Sequence, residues 1–130
     1  MPLGLYTLLF NAFVFVLMGL AFMILPASLV ELVTDGIPQT RSGMIDVRAT
    51  YGGGFAGIGL TLFATVLRPG WRSLGLLLLV FVLGGMALGR GLGIVTDGRP
   101  NIFMYLFLAY ELVFVALALI ALVIQRRPQG

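Results

Sequence analysis

Polar residues in this chain fall in short clusters that separate four long apolar runs. Leu3 to Leu25 is uncharged over 23 residues and stops at Pro26. At 1.5 Å rise per residue such a helix is about 34 Å long, enough to span a bilayer's hydrocarbon core. It has no basic leader, is too long for a signal-peptide core and lacks a small-x-small cleavage site near Pro26, so it reads as a retained span. Further apolar runs extend from roughly Met44 to Leu67, from Ser73 to about Val95 and from Ile102 to Ile124.

The clusters between the runs carry turn chemistry. Ser28 to Val33 predicts a short interfacial helix, with Ser28 and Glu31 at capping-box spacing, ended by Asp35-Gly36 and Pro38. Arg68-Pro69-Gly70-Trp71-Arg72 is a tight turn that sends the next helix back beside its predecessor. Trp71 belongs at headgroup level there, with Ser73 as the following cap. Thr96 to Asn101 forms another turn with Asn101 as cap, and Gln125-Arg126-Arg127-Pro128 ends the last helix. The expected fold is all-α: an integral membrane four-helix up-down-up-down bundle with a short interfacial helix after the first span. It is a single transmembrane domain over residues 1–130, with spans of about 3–25, 44–67, 73–95 and 102–124.

One motif occurs twice. Val33-Thr34-Asp35-Gly36-Ile37-Pro38-Gln39 is echoed by Val95-Thr96-Asp97-Gly98-Arg99-Pro100-Asn101. Two readings stand: two hairpins related as a parallel repeat, or a good turn sequence that arose twice between spans that align poorly.

Composition agrees with a bilayer environment. The chain is 60% hydrophobic and 10% charged with mean hydropathy +1.10, whereas a soluble domain of this length needs a polar surface. The eight basic residues are all Arg and are scattered at segment ends, so the net charge of +3 is no nucleic-acid footprint. Cys, His and Lys are absent. That removes disulfides, Cys/His zinc sites, His-ligated haem, Schiff-base chemistry and Ser-His catalysis. No cofactor or metal is expected. Any proton chemistry must use Asp, Glu, Tyr or water.

Arginine placement sets the expected orientation. Arg68, Arg72, Arg126 and Arg127 share the face of both termini, with no acid among them. On the other face Arg41 and Arg99 lie in loops amid acids, while Arg48 and Arg90 lie inside helical segments. Four loop arginines against two place both termini in the cytoplasm of a bacterial inner membrane.

The polar residues within the spans are the candidate chemistry. On the second span Asp46, Ala49, Thr50, Gly53, Gly57, Thr61 and Ala64 share a small-and-polar stripe, and Gly85, Gly89 and Gly93 on the third span are spaced to complement it. Such faces let helices approach closely in lipid, so these glycines read as helix packing. Arg48 and Tyr51, three residues apart, share a different face. Arg90 lies about 10 Å and Glu111 about 15 Å in from the turn that joins their helices. An unpaired charge at that depth costs several kcal/mol, so each needs a partner. The sharper expectation is that Arg90 pairs with Glu111 and that Asp46, Arg48 and Tyr51 close the same polar pocket. The blander one sends Arg90 outward to Asp97 or Asp46 and leaves Glu111 protonated. Asn11 and Gln125 are expected to hydrogen-bond between helices.

Asp46-x-Arg48-x-x-Tyr51-Gly52-Gly53, Gly89-Arg90-x-x-Gly93-x-x-x-Asp97-Gly98 and Glu111, in that order, resemble the uncharacterised bacterial four-helix family known as domain of unknown function 4345. The resemblance covers nearly the whole chain. It implies a small integral membrane protein and supplies no reaction or substrate. Three functional expectations follow. The first is a non-enzymatic accessory or scaffold subunit of a larger membrane assembly, or a homo-oligomer, in the lipid bilayer. The second is binding or transport of a small anion, lipid or proton through the Arg/Glu pocket. The third is an intramembrane enzyme using Glu111 or Asp46 as acid/base.

Overall fold

The computed structural model describes residues 2–126; Arg127 of the terminal arginine pair lies outside them. In order, the elements are α1 (Pro2–Ile24), α2 (Pro26–Thr34), α3 (Arg41–Val47), a π-helical segment (Arg48–Gly54), α4 (Phe55–Leu67), a 3-10 turn (Pro69–Trp71), α5 (Arg72–Asp97) and α6 (Ile102–Gln125). No strand occurs among the described residues. The α3, π and α4 segments run on as one helix of 27 residues, Arg41–Leu67. With Pro2–Ile24, Pro69–Asp97 and Ile102–Gln125 it makes four helices long and apolar enough to cross a membrane. Their outer surface is correspondingly apolar: Phe81, Leu88, Leu67 and Val95 are 75% to 83% exposed.

Local chemistry corrects several expected boundaries. The short second helix begins at Pro26, not Ser28, and its N-cap Leu25 makes no side-chain cap bond. Proline suits that first position because its missing N–H is one the helix could not have used. Ser73 does not cap α5. Its hydroxyl donates to Gln125 Oε1 at 2.9 Å and ties the start of α5 to the end of α6. Asn101 does cap α6, its Oδ1 accepting from Met104 N at 3.3 Å.

The two copies of the repeated turn lie side by side. Asn101 Nδ2 donates to Val33 O at 3.1 Å and to Asp35 Oδ2 at 3.0 Å. Their backbones differ. The first copy ends a nine-residue helix with Asp35 left-handed at φ 60°; the second ends a 26-residue helix with Gly98 at φ 101°. What recurs is turn chemistry, which favours the second of the two readings.

Packing divides the helices into two pairs. α1 lies along α4 and the π segment, and α5 lies along α6. Leu8, Leu62, Leu76, Leu79 and Leu83 fill the centre between the pairs. The α1 seam is built on Gly19, Gly52 and Gly59. A β-carbon at Gly59 would lie 2.6 Å from Val16 Cγ2, 2.7 Å from Val16 N and 2.8 Å from Ala12 O. Backbone atoms cannot yield to such a group, so the seam closes only over hydrogen.

The glycines expected to pack are elsewhere. A β-carbon at Gly53, Gly57, Gly85 or Gly89 would meet nothing within 4 Å, and one at Gly93 would meet only Asp97 Oδ2 of its own helix, at 3.5 Å. The expected seam between the second and third spans is therefore not formed within this chain. Both Gly53-x-x-x-Gly57 and the row holding Gly52, Ala56 and Gly59 consist of small residues; the second row is the one against α1. The spacing identifies small faces without saying which has a neighbour.

This gives a direct contrast. Gly59→Leu should destabilise the chain by about 1–3 kcal/mol or more through overpacking, while Gly57→Leu should change monomer stability by no more than about 0.5 kcal/mol. Thermal unfolding in mild detergent, run on the monomeric fraction, reads both. Equal losses would contradict the assignment of the seam.

Candidate functional site

Glu111 sits in the interior of α6 and is only 3% exposed. Arg90 reaches it from α5. The guanidinium Nε donates to Oε1 and Oε2, both at 3.1 Å, and Nη2 donates to Oε1 at 2.6 Å. Both carboxylate oxygens are thus engaged by one cation whose side chain is 22% exposed. The outer edge of the same guanidinium is less well served, since Nη1 donates to Met104 Sδ at 3.1 Å. Its carbon also lies 5.3 Å over the Phe107 ring. Met104, Phe107 and Glu111 recur at three- and four-residue steps, so one face of α6 supplies acid, ring and thioether together.

A cavity of about 270 Å³ opens beside the pair. Its walls are largely apolar, with aromatic rings from four segments. Phe15 and Phe22 come from α1, Tyr51 from the π segment, Phe55 from α4 and Phe107 from α6. Tyr51 packs at 5.3 Å from Phe22 and 5.6 Å from Phe55, with Phe22 and Phe55 edge to face. Val33 and Thr34 at the end of α2 and Leu83 and Met86 on α5 also line it. A second cavity of about 280 Å³ lies toward the loop 97–100 and is lined by Asp97 and Arg99. Arg90 and Met104 belong to both. The two cavities therefore lie next to each other at the Arg90 side chain.

Of the five pocket residues expected from the sequence, Tyr51, Arg90 and Glu111 line this chamber, and Asp46 and Arg48 do not. Arg48 Nη1 donates instead to the carbonyl of Met23. Met23 lies in the last turn of α1, which ends at Ile24, and carbonyls of a helix's last turn have no intrahelical donor. A cation at a helix C-terminus is also favoured by the macrodipole. Asp46 is exposed and accepts from Thr50 Oγ1 at 3.3 Å. Arg48 and Tyr51 part company because residues 48–54 wind as a π-helix, in which a three-residue step no longer stacks side chains as in an α-helix.

Three contributors have weaker sequence signals. Met104 and Phe107 are marked only by sharing a helix face with Glu111. Tyr110, also in the wall, donates its hydroxyl to Asn11 Oδ1, while Asn11 Nδ2 donates to Thr7 O at 2.8 Å. Asn11 was the visible half of that bridge; a tyrosine among so many aromatic residues gave no warning of the other. The acid–base expectation finds little to work with: Glu111 is held by Arg90, and Asp46 lies outside the chamber. Among the described residues no three acidic, His or Cys side chains gather as a metal site.

A small helical bundle with a buried carboxylate–guanidinium pair beside an apolar chamber is the class of protein defined here. The chain belongs to the Domain of unknown function (DUF4345) family, whose model matches residues 5–122. No curated protein and no solved structure matches it.

The pair should behave as a unit. Glu111→Leu leaves Arg90 without its partner and is expected to cost about 3–5 kcal/mol, while Arg90→Met with Glu111→Leu together should cost far less than the sum of the single changes. A double-mutant cycle on unfolding in detergent measures this. Additive losses would contradict the coupling.

Proposed function

We propose that the protein crosses a bacterial inner membrane as an up-down-up-down four-helix bundle, with both termini in the cytoplasm. There it holds a small, largely apolar molecule in the aromatic chamber beside Arg90 and Glu111. The observation that carries this reading is the chamber itself. Apolar and aromatic walls with a few convergent polar groups are the usual make-up of a small-molecule site. Both oxygens of Glu111 are already bound by Arg90, which favours holding a ligand over acid–base turnover. It also favours a neutral ligand over a free anion, because the guanidinium charge is already balanced.

The accessory-subunit reading keeps a specific support in the outward glycine faces. Gly53, Gly57, Gly85 and Gly89 stand against open space, and small residues allow another helix to approach closely in lipid. The two readings are compatible, since one concerns the interior and the other the rim.

Native mass spectrometry of protein purified in mild detergent separates them. A bound small molecule, near one per chain, is expected for the wild type and is expected to be lost in Met86→Trp, because Met86 on α5 lines the chamber and an indole there would fill it. Adducts identical in both proteins would overturn the binding reading. A protein partner or higher oligomer that dissociates in Gly57→Leu and Gly89→Leu would establish the subunit role.

A further inference from the structure

We infer that the chamber selects a neutral, planar ring compound bearing a carbonyl oxygen, of the benzoquinone type, with that oxygen accepting from Arg90. The inference rests on the proposal that the chamber binds a small molecule, and it adds the chemistry of that molecule.

The polar end of the site defines the acceptor. Arg90 Nη1 donates to the thioether of Met104, one of the weakest acceptors a protein offers. A carbonyl oxygen accepts more strongly from a charged donor. Methionine is flexible and unbranched, so its sulfur can give way when a better partner arrives.

The charge balance defines the ligand as neutral. Arg90 is already matched by Glu111 through Nε and Nη2. A carboxylate or phosphate would bring a second negative charge against one cation in an apolar setting, where an unbalanced charge is costly. A neutral acceptor adds a hydrogen bond without adding charge.

The walls define the shape. Phe22, Tyr51 and Phe55 meet one another at 5.3 to 6.4 Å in tilted and edge-to-face contacts, and Phe107 stands on the side of Arg90. Such surfaces receive a flat ring by stacking or edge contact. At about 270 Å³ the chamber falls just below the range of about 300–1,000 Å³ typical of drug-sized ligands, so it suits one substituted ring and not a whole phospholipid. Tyr51 lines the same chamber and offers a phenol as a second donor.

Three isosteric probes test the assignment by equilibrium dialysis of the full chain in detergent against protein-free micelles. Duroquinone carries the ring, methyl groups and carbonyls. Durene carries the ring and methyls alone, and trimethylbenzoate carries an anion. Duroquinone is expected to bind saturably, near one per chain and at least about tenfold more tightly than either analogue. Arg90→Gln should remove most of that preference, and Tyr51→Phe should weaken duroquinone several-fold. Should Arg90→Gln fail to fold, Met104→Leu serves instead: it removes the competing thioether and should tighten duroquinone alone. Durene binding as tightly as duroquinone would overturn the carbonyl assignment while leaving the chamber a binding site. Trimethylbenzoate binding most tightly would overturn the neutral-ligand assignment. Absence of binding by all three would overturn the binding reading itself.

Discussion

A carboxylate buried to 3% exposure in an apolar helix is the constraint around which this bundle is arranged. Isolated, it would be strongly destabilising in a bilayer or a protein core. Arg90 resolves the problem by binding both oxygens at once, and that geometry fixes more than charge. It sets the rotation of α6 about its own axis, because Glu111 must face α5. Phe107 and Met104 share its face and are therefore turned inward too. One acid thus determines which side chains of α6 wall the chamber and which are left on the outer surface.

The opposite wall has a different origin. The last carbonyls of α1 have no intrahelical donors, and Arg48 supplies one at Met23. Gly52 lets the π segment press against the same residue; an added β-carbon there would run into Met23. The end of α1 and the start of the second long helix are locked together at that point. Tyr51 is then carried to the chamber side, against Phe22 and Phe55. The α1 pair closes on glycine and backbone, while the α5–α6 pair carries an ion pair and bulky rings. The chamber lies where these unlike pairs diverge, beneath the end of α2.

Length and apolarity made the four long helices legible in the sequence, since runs of more than about 20 mostly apolar residues are long enough for a spanning helix. Arg90 and Glu111 were legible as partners because they lie at similar depth on helices joined by a short turn, each needing an opposite charge. The glycine seam was not. Gly53 and Gly57 have the same spacing logic as Gly52, Ala56 and Gly59, and only the position of α1 distinguishes the rows. Arg48 was misassigned because a helical projection assumes α-helical winding, and the run Gly52-Gly53-Gly54 lies within a π-helix. Met104 was invisible for a simpler reason: a methionine among leucines and phenylalanines shows no sign that its sulfur faces a guanidinium.

The outward stripe on the second long helix and the inner chamber differ in how completely their polar groups are satisfied. On the stripe, Thr50 donates to Asp46 Oδ1 at 3.3 Å and Thr61 donates to Gly57 O at 2.9 Å. Those hydroxyls are served by their own helix, and the glycines beside them carry no polar side chain. Such a face can accept another helix closely, yet nothing in its hydrogen bonding requires one. The chamber is the opposite case. Its cation is charge-balanced by Glu111, but one N–H of Nη1 rests on a thioether where an oxygen would bind more strongly. An unrealised interaction thus lies beside the chamber, whereas the hydroxyls of the stripe have none outstanding.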